Sequence, residues 1–125
     1  MFSLNLKRLQ MTIEQFEIWI ADLNPRVGTE AGKTRPVLVV QTNLLNQVSH
    51  PSTIVCPITT NVKADAEILR IHLKKGEGGV LKNSDIMLDQ IRAIDNVRLT
   101  QKVGELPTEL IEKVKESLAI VLDLE

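Results

Sequence analysis

Residues 28–36, Gly28-Thr29-Glu30-Ala31-Gly32-Lys33-Thr34-Arg35-Pro36, gather a lysine, an arginine and a carboxylate in a stretch with no apolar side chain larger than alanine. Val37-Leu38-Val39-Val40 follows at once. Proline disfavours the helical region for the residue before it, so Arg35 stands at the mouth of a strand. A guanidinium there presents a rigid fork of donors that suits a phosphate or a carboxylate. Glu30, the one acid of the loop, is a candidate base, with equal standing as the partner that orients Arg35 or Lys33. Thr59 ends a second apolar run, Thr53-Ile54-Val55-Cys56-Pro57-Ile58-Thr59. By itself it reads as an ordinary β-branched strand residue.

The elements that must position these groups follow from hydrophobic period. Phe16 to Asp22 alternates for most of its length and reads as a strand. Arg35 to Gln41 is short, β-branched and nearly all apolar, which suits a strand buried on both faces. Thr42 to Ser52 reads as connection, and Thr53 to Thr59 as a third strand. Pro57, unable to donate to a ladder, predicts an edge position or a bulge there. In Glu67 to Leu73 the alternation puts Leu69, Ile71 and Leu73 on one face, with Arg70 and His72 on the other. Lys74 to Gly79 reads as a mobile turn, Ser84 to Leu88 and Gln90 to Asp95 as further strands, and Arg98 to Thr100 as a short one. Gln90, Arg92 and Ile94 then share a sheet face. Beyond Pro107 the period changes: Leu110, Ile111, Val114, Leu118, Val121 and Leu122 recur at helical spacing. Many short strands and one closing helix describe a β-rich α+β fold, a small barrel packed on a helix.

Composition narrows the function classes. At 125 residues the chain makes one domain, with residues 1–12 as a loose, disordered extension and 13–125 as the folded unit. The aromatics are Phe2, Phe16 and Trp19, with no tyrosine, which leaves a sequence-neutral single-strand binder without stacking platforms. A net charge of −1 argues against indiscriminate coating of DNA. Its distribution is uneven: residues 1–104 carry +3, whereas 105–125 carry −4, so a polyanion should bind away from the C-terminal helix. The single cysteine, Cys56, sits among apolar neighbours and suggests a buried strand position. His50 and His72 have no spacing that reads as a metal site, so no metal and no cofactor are expected. With no membrane-length apolar run and no secretory leader, a cytoplasmic setting is expected.

Three ordered motifs carry a resemblance. They are Trp19-Ile20-Ala21-Asp22-Leu23-Asn24-Pro25 leading to Gly28-Thr29-Glu30 and Lys33-Thr34-Arg35-Pro36-Val37, then Cys56-Pro57-Ile58-Thr59-Thr60, then Asp89-Gln90-Ile91-Arg92-Ala93-Ile94-Asp95. In order and spacing they resemble the MazF/PemK family of toxin endoribonucleases from bacterial toxin–antitoxin pairs. The resemblance runs from about Phe16 to the C-terminal helix. It implies an SH3-like β-barrel of the PemK/CcdB type, a homodimer, and metal-independent cleavage of single-stranded RNA at short sequences to 2′,3′-cyclic phosphate and 5′-hydroxyl ends. It further implies catalytic roles for Arg35, Thr59 and Glu30, RNA contacts at Lys33, Thr34, Gln90 and Arg92, and restraint by a cognate antitoxin protein. One departure stands out: Phe16 occupies the place of a glycine that usually precedes the first strand. Two other readings are weighed: a toxin of the same fold that poisons a protein such as DNA gyrase, and a noncatalytic SH3-like module. The gyrase poison would not require an arginine and a threonine at these sites. The module would need an aromatic groove that three aromatics cannot supply.

Overall fold

The computed structural model describes residues 12–66 and 68–124, so all of the expected N-terminal extension except Thr12 lies outside it, as does Glu67. The described residues form seven strands: β1 (Glu17–Asp22), β2 (Thr34–Val39), β3 (Ser52–Thr59), β4 (Arg70–Leu73), β5 (Ser84–Met87), β6 (Arg92–Asp95) and β7 (Leu99–Glu105). A one-turn helix α1 (Asn43–Asn46) lies in the expected connection, its Leu44 amide capped by the Thr42 hydroxyl. The C-terminal helix α2 spans Thr108–Val121. The sheet is antiparallel in the order β4-β5-β3-β2-β1-β7, and β6 also pairs with β3.

Strand β3 is the hub. On one side it pairs with β2, Val37 opposite Pro57 and Val39 opposite Val55. On the other its first half meets β6, Val55 opposite Arg92, and its end meets β5, Ile58 opposite Ile86. Pro57 is therefore neither on an edge nor needed for a bulge. Ile54 exchanges its backbone bonds with the β2 side, as the Val40 amide donating to the Ile54 carbonyl shows. Strand alternation then turns position 57 to the other side, into the gap between the β6 and β5 ladders, where a missing N–H breaks no pairing.

Both faces of β2 are buried, as its apolar run predicts. Leu38 joins Ile18, Cys56, Ile58, Ile71, Ile86 and Val114 in a core beneath α2. Val37 and Val39 join Trp19, Ala21, Leu23, Val55, Ile94 and Leu99 on the opposite face. Helix α2 buries Val114 and Ser117 and lays Leu110, Ile111, Leu118 and Val121 against the first core.

The coiled sheet is barrel-like but not closed by a ladder, since β4 and β7 are its two ends. The loop between β4 and β5 bridges them. A Cβ on Gly79 or Gly104 would run into backbone atoms of Val103 or Gly78 respectively, so the glycine loop lies directly on β7. The segment expected to be a mobile turn is thus a docked seam. The same geometry corrects two strand expectations. Leu69 is 43% exposed and β4 begins only at Arg70, and Leu88–Gln90 is a tight 3-10 turn rather than strand. The turn is obligatory because β5 and β6 both pair with the same side of β3, so the chain must double over between them.

Candidate functional site

The registers lay the polar residues out in a line. Ala21 pairs with Arg35 across β1 and β2. The β2–β3 ladder ends at Val37 opposite Pro57, with Arg35 and Thr59 each two residues beyond it on neighbouring strands. Thr59 pairs with Asp85 on β5, and Asp85 with His72 on β4. Directly opposed residues point to the same face, with Cβ atoms roughly 5 Å apart. Thr59, Asp85 and His72 therefore form a transverse row on the face away from α2, and strand alternation from Val37 and Val39 puts Arg35 on that same face. Ile58, Ile71 and Ile86, one residue out of phase, point toward the helix.

The loop before β2 is held in place by its own polar groups. The Lys33 amide donates to Asn24 Oδ1 (2.8 Å), and the Leu23 amide to the Lys33 carbonyl (2.9 Å). Arg98 Nη1 donates to the carbonyls of Asp22 and Asn24 from the far side. Lys33 has φ of 69°, in the left-handed region. Gly32 touches Arg26 so closely that a Cβ would sit 2.5 Å from that of Arg26. Its carbonyl accepts from Arg35 Nε at 2.8 Å, which fixes the guanidinium while leaving its terminal nitrogens for a ligand. Burial, and then the like charge of Arg26, hold Arg35 below the ordinary arginine pKa.

A cavity of about 190 Å³ opens here, lined by Arg26, Thr29, Glu30, Ala31, Gly32, Lys33, Arg35, Met87 and Gln90. Three cations against one carboxylate make it an anion site. Of the residues singled out in the sequence, Glu30, Lys33, Arg35 and Gln90 meet in this cavity. Thr59 is not part of its lining; it ends β3, half-buried, its Oγ1 accepting from the Asn61 amide at 3.1 Å. Glu30 is exposed, and among the described residues it forms no ion pair; Arg35 is oriented by the Gly32 carbonyl instead. Gln90 does not share a sheet face with Arg92. It lies in the turn after β5 and reaches back to the loop, accepting from the Ala31 amide and donating to the Thr29 carbonyl, each at 3.3 Å. Arg92 keeps a strand position opposite Val55, on the face of Ile94 but four residues along β3 from Thr59. Thr34 is exposed and one residue out of phase with Arg35. Sequence reasoning missed Arg26, whose only signal was a fourth charge beside the loop, and Asp85, which carries none until the strands are paired.

A coiled antiparallel sheet backed by one C-terminal helix, with an arginine in a cationic cavity at one strand mouth and a threonine ending the neighbouring strand, defines a small barrel-like fold. Residues 14–122 match the family described as PemK-like, MazF-like toxin of type II toxin-antitoxin system. The chain belongs to that family. It is 39% identical over 114 residues to Endoribonuclease EndoA of Bacillus subtilis (strain 168), covering 91% of this chain and 97% of that one. The fold is that of MazF from Deinococcus radiodurans, with a TM-score of 0.76 at 22% identity over 92% of this chain and 100% of that one. A MazE-MazF structure from the same organism gives a TM-score of 0.73 at 19% identity over 93% and 100%.

Proposed function

We propose that this protein is the toxin of a type II pair and acts as a metal-independent, sequence-selective endoribonuclease on single-stranded RNA. The observation that carries the reading is Arg35 at the mouth of β2 in a cationic cavity, with Thr59 ending the neighbouring strand β3, in a chain 39% identical to a protein named as an endoribonuclease. The ribose 2′-oxygen attacks the adjacent phosphorus, the P–O5′ bond breaks, and a 2′,3′-cyclic phosphate and a 5′-hydroxyl result. Negative charge collects on the phosphoryl oxygens, where the free nitrogens of Arg35 and the Thr59 hydroxyl donate to it. The proton of the 2′-hydroxyl goes to a base, for which the exposed carboxylate of Glu30 is the candidate. The leaving 5′-oxygen takes a proton from Arg35, whose lowered pKa makes it a better donor than an arginine in water. Lys33 and Gln90 hold the neighbouring nucleotides at the loop, and Thr34 and Arg92 contact RNA farther out.

The protein works as a homodimer, as its family membership implies. Its antitoxin inserts an acidic segment over the same cavity, because Arg26, Lys33 and Arg35 suit carboxylates as well as phosphates. No feature of the site favours the gyrase-poison reading. The test is cleavage of an RNA pool in excess EDTA by the protein and by folded Arg35→Ala and Thr59→Ala variants. Each substitution should slow cleavage about 10²–10³-fold. Undiminished cleavage in both variants would overturn the assignment.

A further inference from the structure

We propose that Arg70 and Asp85 are positioning residues for the Thr59 hydroxyl, acting through the backbone of Asn61. The inference rests on the reading of Thr59 as an RNA-contacting donor and deepens it.

Asp85 is fully buried in a strand whose other members, Ser84, Ile86 and Met87, are buried too. A carboxylate in such a place is costly unless fully partnered, and an apolar residue would stabilise the sheet at least as well. Asp85 is fully partnered. Its Oδ1 meets His72 Nδ1 at 2.5 Å, and its Oδ2 accepts from the Lys63 amide at 2.8 Å and from Arg70 Nη1 at 3.1 Å. The side chain of Arg70 is 13% exposed, and the same Nη1 donates to the Asn61 carbonyl at 3.0 Å. These contacts tie down an otherwise exposed stretch, residues 60–65, that starts immediately after Thr59.

The Asn61 backbone is thus held on both sides of its Cα, the amide by Thr59 and the carbonyl by Arg70. A hydroxyl has one proton and two acceptor positions. With the Asn61 amide filling one acceptor position of Thr59 Oγ1, the hydroxyl proton is left free to donate elsewhere, to a ligand on the open side. Arg70, anchored by Asp85, holds the Asn61 backbone, and so the acceptor position of Thr59 that the amide fills. His72 closes the remaining carboxylate oxygen from the solvent side, its own side chain 36% exposed.

The experiment uses full-length protein and single-turnover cleavage of a defined RNA. Arg70→Met removes the grip on Asn61 but leaves Asp85 without its cation. Arg70→Met/Asp85→Val is therefore made alongside it, since an apolar replacement of the pair preserves folding. Both variants should cleave about 10–100-fold more slowly with KM for RNA little changed, the loss expected when a donor is displaced rather than deleted. Arg70→Lys, which restores a donor at shorter reach, should recover part of the rate. In a Thr59→Ala background the Arg70→Met change should cost nothing further, and the Asn61 amide resonance should shift in Arg70→Met without substrate. Wild-type cleavage by folded Arg70→Met, while Thr59→Ala is crippled, overturns the positioning role alone. An equal loss in the Thr59→Ala background does so as well. Wild-type cleavage by Thr59→Ala overturns the underlying role of Thr59 and this inference with it.

Discussion

Phe16 enters β1 at φ of 70°, a conformation that costs a side-chain-bearing residue about 1–2 kcal/mol. Its backbone cannot relax out of it. The Phe16 amide donates to the Val39 carbonyl at 2.7 Å and its carbonyl accepts from the Leu106 amide at 2.8 Å, so the residue is pinned between the ends of β2 and β7. The half-buried ring compensates by packing on the core beneath α2, with Lys115 Nζ 6.0 Å from its centroid. Cutting the side chain back to alanine or to glycine removes the same packing, on the order of 2 kcal/mol for a half-buried ring. The cation–π contact adds about 0.5 kcal/mol to that loss. Alanine keeps the left-handed strain. Glycine relieves it, at about 0.5–1 kcal/mol of extra chain entropy. Phe16→Gly should therefore be the more stable of the two by about 0.5–1 kcal/mol, or roughly 2–5 °C in Tm, the reverse of their usual order in a strand. Both should lie below the wild type. Parallel thermal and urea melts decide it; an alanine variant as stable as the glycine variant, or more so, refutes the reasoning.

Three further outcomes are expected. Gly32→Ala should slow RNA cleavage about 10–100-fold while leaving the thermal melt within a few degrees, because the new Cβ meets that of Arg26 and displaces the carbonyl that holds Arg35. Burial pushes the Glu17 carboxyl up, but Lys102, the Trp19 indole and the Glu14 amide outweigh it and hold the pKa below the ordinary 4.5. Its stabilisation is thus complete above about pH 4.5 and lost as pH falls through the lower folded value. Glu17→Gln should flatten the acid limb of stability against pH, measured by urea midpoints. Cys56 is fully buried, and burial, then the charge of Asp89, push its thiol up to about 12. An aromatic disulfide reagent should leave the native protein untouched at pH 8 and titrate one thiol on addition of denaturant.

The strands whose apolar period is strong, β1 to β3, and the helix α2 were legible because burial on a fixed face writes itself into spacing. Arg35 and Thr59 were legible only as two separate motifs, since their place on one face depends on the pairing of β2 with β3. Gln90 was misplaced into a strand because the doubling of the chain between β5 and β6 answers to a shared partner, β3, and not to local propensity. Asp85 was invisible for a related reason: Arg70 and His72 read only as the polar face of a strand until the pairing of β4 with β5 brought both to one carboxylate. The glycines at 78 and 79 likewise suggested freedom of movement, where in the folded chain they lie against Gly104 and Val103 and allow backbone to touch backbone.

The sheet order sets β1 beside β7, so Ile18 waits for Gly104 and Ala21 for Leu99. About three-fifths of the chain, residues 23–98, intervenes between the two halves of that ladder. During translation the early strands have no lasting neighbour on that side, and the glycine seam has no β7 to lie against, until the last fifth of the message is read. At roughly 5–20 residues per second, a ribosome needs several seconds to cover the distance. A cell making this toxin is therefore shielded from each new copy by the order of its strands until synthesis is nearly complete, and a message cut short before codon 99 yields a chain that cannot complete its sheet.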